Sequence, residues 1–152
     1  MSTPRSPSDR EVQEDLMRLE AYRNQLNALV QQHQYLNASL AEHRRARETL
    51  EGIEGTPEGA RFLIPVGGET FVPGTADRAS RVLIGVGSGV VAEFERPNAS
   101  ELLAQRITTI DRARTDLENQ VTTLEERIEA LSGRLEAIGR ERSAPSSDVG
   151  RD

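Results

Sequence analysis

The chain has 152 residues, which suits one domain, and only 36% of them are hydrophobic and 3% aromatic. That composition is lean for a compact globule with a thick core. The 25 acidic residues outnumber the 19 basic ones, all arginine, and the formal charge of −6 argues against nucleic acid or an anionic membrane as a partner.

Residue types exclude several classes of site. The chain contains no cysteine, so it has no disulfide, no thiolate zinc site and no cysteine nucleophile. No nucleophile elbow or other catalytic context surrounds the serines and histidines, so we expect no catalytic residue, no enzyme and no cofactor. The N-terminus lacks an apolar signal segment and no run approaches about 18 apolar residues, which predicts a cytoplasmic protein.

The first long element follows a polar tail at residues 1–8, which we expect to be disordered. Residues 9–50 contain neither glycine nor proline, which predicts a helix. We expect Val12, Leu16 and Met17 to extend its apolar face towards the N-terminus. From there, positions three and four residues apart form a coiled-coil seam: Leu19, Tyr22, Leu26, Leu29, His33, Leu36, Leu40, His43, Arg47 and Leu50.

The polar residues in this seam have two interpretations. His33 and His43 are ten residues apart, whereas a metal pair on one helix usually stands at i and i+4, so we expect no metal site. We interpret them as residues that set the register of the coil. We interpret Arg47 and, on the second helix, Arg114 in the same way, as polar seam residues that set the register. We expect each to pair with a glutamate across the coil.

Residues 51–97 differ in character, because they hold nine of the twelve glycines and four of the seven prolines. The runs RFLIPV (61–66) and ETFVP (69–73) flank Gly67-Gly68, which predicts a hairpin with a two-residue turn. The runs RVLIGV (81–86) and VVAEFE (90–95) flank residues 87–89, which predicts a second hairpin. The spaced glycines of GVGSG therefore lead from strand to strand, whereas a dinucleotide site needs them to lead into a helix.

These predicted strands carry apolar side chains on both faces, and such strands are normally covered on both sides. Four short strands cannot cover themselves, and their open edges invite pairing. We therefore expect the hairpins to join an oligomeric β-barrel platform through Phe62, Ile64, Val66, Phe71, Val82, Ile84, Val86 and Val90.

The second helix is predicted at residues 98–142, with Asn98 and Glu101 as a capping box after Pro97. Gly133 and Gly139 are expected to weaken its last turns by about 1 kcal/mol each, and we expect residues 143–152 to be a second disordered tail. The seam of the second helix consists of positions that are alternately four and three residues apart: Leu103, Ile107, Ile110, Arg114, Leu117, Val121, Leu124, Ile128, Leu131, Leu135, Ile138 and Arg142.

The elements together predict an α+β fold. Two helices of nearly equal length most simply fold back as a long antiparallel two-helix coiled coil, with the two β-hairpins inserted between them. The chain termini then lie at one end of the coil, and the hairpins lie at the other.

Three stretches resemble the alpha-class subunits of the archaeal prefoldin family. AEHRRARETLEGI (41–53) is similar to the end of that family's first helix. FLIPVGGETFVPG (62–74) is similar to its first hairpin. RVLIGVGSGVVAEFERPNASELLAQRI (81–107) is similar to the second hairpin leading into the second helix. Beta-class subunits have one hairpin where this chain has two.

The resemblance implies a hexamer of two alpha and four beta subunits, in which the hairpins form β-barrels. It also implies an ATP-independent holdase that captures non-native client polypeptides at the coiled-coil tips and delivers them to a group II chaperonin. Carried over by position, the client-binding residues are Val12, Leu16, Met17, Leu19, Ile128, Leu131, Leu135 and Ile138.

Two alternatives stay open. The tip residues could be plain coiled-coil core, with clients held elsewhere. The chain could also be a structural scaffold that oligomerises through its β region without any chaperone role. A small second subunit with a single hairpin in the same genome would favour the chaperone.

Overall fold

The computed structural model of the chain describes residues 5–77 and 81–144. Helix α1 spans Asp9–Glu54 and helix α2 spans Arg96–Ser143. Between them lie strands β1 (Arg61–Gly67), β2 (Thr70–Thr75), β3 (Val82–Gly87) and β4 (Val90–Phe94). The predicted α+β fold, two long helices with two hairpins between them, is therefore confirmed.

The chain divides into two compact units. Of the described residues, 5–35 and 115–144 form one of them, here called the coil unit, and 36–77 and 81–114 form the other, the hairpin unit. The described part of the chain contains two separate two-stranded sheets, β1–β2 and β3–β4, and no closed barrel. The tails predicted at the two termini lie outside the described residues at positions 1–4 and 145–152.

In the coil unit the two helices run antiparallel, because residues near the start of α1 contact residues near the end of α2. Arg142 lies beside Asp9, and His33 contacts Glu118. The predicted seam of α2 is confirmed here, since Leu117, Leu124, Leu131 and Ile138 are buried. Spacing of this kind brings a stripe of aliphatic side chains to one side of a helix, where the partner covers it.

The predicted seam of α1 is wrong near the N-terminus. Asp15, not Leu16 or Met17, takes the buried position between Val12 and Leu19, and only 4% of Asp15 is exposed. Steps of three and four residues then continue without a break from Val12 to Leu40. The packing of the partner helix follows this regular spacing, so Leu16 and Met17 fall on the outside of the coil.

Helix α1 begins with a capping box that the sequence analysis overlooked. The backbone N–H of Ser8 donates to Oε2 of Glu11 at 2.6 Å, and the backbone N–H of Glu11 donates to Oγ of Ser8 at 3.3 Å. These bonds satisfy donors that a helix start otherwise leaves free. The helix also continues to Glu54, four residues beyond the predicted end, so Gly52 lies within its last turns.

Helix α2 begins two residues earlier than predicted, and the capping box proposed for Asn98 and Glu101 is wrong. The helix starts at Arg96, and the backbone N–H of Ala99 donates to the carbonyl of Glu95 at 2.9 Å. Pro97 therefore lies inside the first turn, where its missing N–H costs no intrahelical bond and its fixed φ suits the helix.

The two hairpins share one local design. Pro65 pairs with Phe71, and Gly85 pairs with Val91 at positions twenty residues further along. In each hairpin the pairing register of the two strands shifts between these residues and the turn. The first turn consists of Gly68 and Glu69, both with φ of 56°, one residue later than the predicted Gly67-Gly68. Two positive φ values are typical of the type I′ turn, whose twist matches that of paired strands.

The core of the hairpin unit lies beneath the second hairpin. Ile84, Ala99 and Leu103 are buried together, and the partly buried side chains packed against them are Leu50, Val82, Phe94 and Leu102. Phe94 is the cross-strand partner of Val82, so one face of the second sheet covers the start of α2. The corresponding face of the first hairpin stays exposed.

Candidate interaction surfaces

The predicted client-binding residues differ in their exposure. Leu16 is 48% exposed and Met17 is 67% exposed. The other six are covered by the coil to some degree: Leu19, Leu131 and Ile138 are buried, and Val12, Ile128 and Leu135 are half-buried. Two side chains on the outside of α1 are therefore available to a partner while the coil is closed.

Charged contacts surround these residues. Arg142 of α2 donates to Oδ1 of Asp9 at 2.8 Å and to the carbonyl of Pro7 at 2.9 Å. Asp15 lies 3.5 Å from Nη1 of Arg18 and 3.5 Å from Nε of Arg134. We call this part of the coil unit, residues 5–19 together with 131–144, the charged end.

The capping box also changes the pKa of a carboxyl group at the charged end. The backbone and the hydroxyl of Ser8 both donate to Glu11, and these bonds hold the pKa of the Glu11 carboxyl below its usual value of 4.5. Glu11 also borders a groove of about 400 Å³ in which side chains of both charges meet apolar ones. Its lining residues are Arg5, Ser6, Pro7, Glu11, Arg134, Ala137, Ile138 and Glu141.

The predicted oligomerisation residues also separate into two groups. All four in the first hairpin are exposed, namely Phe62, Ile64, Val66 and Phe71. Two of the four in the second hairpin, Val86 and Val90, are also exposed. Ile84 is buried and Val82 half-buried in the chain's own core. In place of these two, the opposite face of the second sheet presents Leu83, which is 65% exposed, and Val91.

The predicted oligomerisation residues leave out four exposed strand residues, namely Leu63, Val72, Leu83 and Val91. The signal was present, because side chains alternate between the two faces of a strand and both faces of these strands are apolar. What the alternation does not reveal is which face packs against α2.

The outer edges of the two hairpins differ in their hydrogen-bonding capacity. Pro65 in β1 and Pro73 in β2 have no backbone N–H, and a proline within a strand directs that missing donor away from the ladder. The equivalent positions of the second hairpin hold Gly85 and Glu93, which keep their donors. The second hairpin can therefore donate at positions where the first cannot.

The polar seam residues have partners within the chain. Nε2 of His33 lies 2.9 Å from Oε1 of Glu118 across the coil, and Nδ1 of His43 lies 2.7 Å from the carbonyl of Ser39. Each of the two arginines contacts a carboxylate on its own helix. Arg47 contacts Glu51 at 3.1 Å, and Arg114 contacts Asp111 at 2.9 Å.

Other classes of site have little support in residues 5–77 and 81–144. No group of three or more histidine, aspartate or glutamate side chains there is arranged to hold a metal ion. No helix in the same residues is long and apolar enough to cross a membrane. What the described surface offers is exposed apolar side chains, which are suited to binding other polypeptides.

Comparison with known proteins identifies relatives over most of the chain. The family model for prefoldin subunits matches residues 22–141. The prefoldin subunit alpha of Archaeoglobus fulgidus is 32% identical over 104 residues, which cover 68% of this chain and 76% of the relative. That of Methanopyrus kandleri is 27% identical over 118 residues, which cover 75% of each chain.

Solved structures agree with this result. A filamentous PFD from Methanocaldococcus jannaschii, determined by cryo-EM, is 27% identical with a TM-score of 0.64, covering 80% of this chain and 98% of its own. The prefoldin beta subunit from Thermococcus strain KS-1 shares the fold, with a TM-score of 0.56 at 24% identity and coverage of 89% and 96%. By sequence and by fold, the chain belongs to the prefoldin family, a family of non-enzymatic chaperones.

Proposed function

We propose that the chain is the alpha-type subunit of an ATP-independent holdase that captures non-native polypeptides at the charged end of its coil. Leu16 and Met17 make the first contact with the client, because they are the predicted client-binding residues that lie outside the closed coil. The observation that carries the proposal is the exposure of these two side chains in a member of a chaperone family.

Weak and adaptable binding follows from the chemistry of this surface. Methionine is unbranched and polarisable, so it adjusts to apolar partners of different shape. A pair of exposed apolar side chains binds any single client weakly, and several coils in one assembly add avidity. Release to a group II chaperonin then needs no nucleotide, since each contact is individually weak.

Assembly with beta-class prefoldin subunits, two alpha with four beta, is the second part of the proposal. The exposed apolar faces of the first hairpin and of Leu83 and Val91 in the second supply the surface that a barrel would bury. Pairing with the strand edge of another subunit favours the second hairpin. Its strands keep their backbone N–H donors at the positions where Pro65 and Pro73 have none in the first hairpin. The mass of the complex formed with a beta-class subunit, measured by sedimentation, tests this stoichiometry.

The holdase activity is tested by light scattering from a chemically denatured client protein diluted into nucleotide-free buffer with the assembled complex. The variant Leu16→Ser with Met17→Ser removes the exposed pair without cutting the seam. Its matched control is Val30→Ser with Tyr35→Ser, which removes two other exposed side chains from α1.

We expect the wild-type complex and the control to suppress scattering and the Leu16/Met17 variant to lose most of this effect. Equal suppression by all three complexes would keep the holdase and overturn its client site. Failure of the wild-type complex to suppress scattering would favour the structural scaffold.

A further inference from the structure

Asp15 is a buried carboxylate at a position that coiled coils normally fill with an apolar side chain. It follows Val12 and precedes Leu19 in the seam of α1, and it is 4% exposed. The cost of removing a carboxylate from water is several kcal/mol unless close partners compensate for it. The contacts of Asp15 therefore decide how firmly this part of the coil is held.

Those contacts are long. The shortest distances from Asp15 to Arg18 and to Arg134 are both 3.5 Å, whereas charge-assisted hydrogen bonds are typically about 2.7–2.9 Å. The buried Oδ2 atom has no hydrogen-bond partner among the described residues. Burial of this carboxylate is thus compensated incompletely, which lowers the stability of the closed coil around it.

A second ion pair joins the helices at the charged end. The side chain of Asp9 that accepts from Arg142 is 93% exposed, so solvent and salt weaken this ion pair. Beneath these contacts lie Leu19, Leu131 and Ile138, all buried. An opening of the last turns would hydrate Asp15 and present three aliphatic side chains to solvent.

We propose that the charged end is a closure that opens to admit a client, and that Asp15 keeps it poised to open. Local opening of this kind is commonest near the ends of elements, and the incompletely compensated burial of Asp15 lowers its cost here. A non-native polypeptide that binds Leu19, Leu131 and Ile138 in the open state stabilises that state and shifts the equilibrium towards it. This proposal rests on the proposed holdase function, and it gives Leu19, Leu131 and Ile138 a role in client binding although they are buried at rest.

The test compares Asp15→Leu with Glu20→Leu in the assembled complex. Both variants exchange an acidic residue of α1 for leucine, but position 15 is in the seam and position 20 is exposed. The side chains of Arg18 and Arg134 are more than half exposed, so Asp15→Leu leaves no charge buried and restores an apolar side chain to the seam. We expect Asp15→Leu to slow amide hydrogen exchange in residues 9–19 and 131–143 by about tenfold or more and to reduce client capture several-fold. Glu20→Leu should not slow exchange.

A second variant acts in the opposite direction and guards against a simple packing defect. Arg134→Gln removes a partner and leaves the buried carboxylate less compensated, so exchange in the same residues should become faster. Client capture should then stay equal to that of the wild type or rise. A fall in capture with faster exchange would overturn the proposal.

Three further outcomes are decisive. Slower exchange in Asp15→Leu with unchanged capture would show that clients do not need the opening, which overturns the proposal and leaves the holdase intact. Exchange that is not slowed by Asp15→Leu would overturn the role of Asp15. If the wild-type complex captures no client, the proposed function fails, whereas the exchange rates still decide whether the closure opens.

Discussion

The core beneath the second hairpin and the charged end are both places where side chains of α1 and α2 meet and bury aliphatic groups, but the charged end adds ion pairs between the helices. In the first, Leu50 packs against buried Ile84, Ala99 and Leu103. In the second, Arg142 bonds to Asp9 and to the backbone of Pro7. Apolar burial is insensitive to moderate salt and pH, whereas exposed ion pairs depend on both.

This difference suits the two tasks that we propose for the chain, assembly and client capture. An assembly platform needs a hairpin whose position is fixed, and the apolar core beneath β3 and β4 fixes it. A surface that accepts many clients benefits from contacts that open at low cost, and partly compensated charges supply them. The predictions below test this contrast, from the largest expected effect to the smallest.

The largest effect should come from Ile84→Ala, because it leaves a cavity in the apolar core. We expect the free energy of unfolding, measured by urea titration, to fall by about 2–4 kcal/mol. The matched control is Ile64→Ala at the equivalent position of the first hairpin, where the side chain is 43% exposed. It should cost less than about 1 kcal/mol in the dissociated chain. Equal losses would mean that both hairpins pack against a core.

A smaller effect is expected where α2 meets the backbone of the second hairpin. Nη2 of Arg106 donates to the carbonyl of Gly85 at 2.8 Å. Arg106→Met keeps much of the side-chain length and removes the donor, so it should cost about 1 kcal/mol. Hydrogen exchange should accelerate in β3 and β4 and stay unchanged in β1 and β2. Acceleration in both hairpins would contradict a local role for Arg106.

At the charged end, Arg142→Gln should lower stability by less than about 1 kcal/mol at low salt, since its ion pair with Asp9 is exposed. The loss should shrink as salt rises towards about 1 M, where exposed charges are screened at roughly 3 Å. Thermal unfolding of the wild type and of Arg142→Gln across this salt range measures the loss of stability. A loss independent of salt would indicate that packing, not charge, is what Arg142 contributes.

The smallest effect concerns the capping box and depends on pH. Because the folded pKa of Glu11 lies below its usual value of 4.5, ionised Glu11 stabilises the folded state above that value. The contribution is lost as the pH falls through the lower folded pKa. Glu11→Gln still accepts a hydrogen bond but does not titrate, so the wild type should lose more stability than the variant between about pH 6 and pH 3. Parallel thermal midpoints would contradict this.

Much of the fold could be predicted, because it follows from periodicities that depend on backbone geometry alone. The spacing of α2 from Leu103 to Ile138 and the alternation of strand runs and glycines that predicts two hairpins are of this kind. The capping box of Ser8 and Glu11 was also readable, as a serine followed three residues later by glutamate. Asp15 shows where prediction failed: the strict alternation of spacings leads to it, but hydrophobicity favours its neighbour Leu16.

Local hydrogen bonding and residue spacing in the sequence suffice for two long helices, for their seams outside the start of α1, and for two hairpins of common design. Only the tertiary structure decided that Asp15 is buried while Leu16 is exposed, and that the second hairpin covers α2 while the first does not. Both hairpins have similar strands, and where Gly74 stands in the first, Phe94 packs into the core of the second. Burial depends on which surfaces meet, and that is a property of the folded chain.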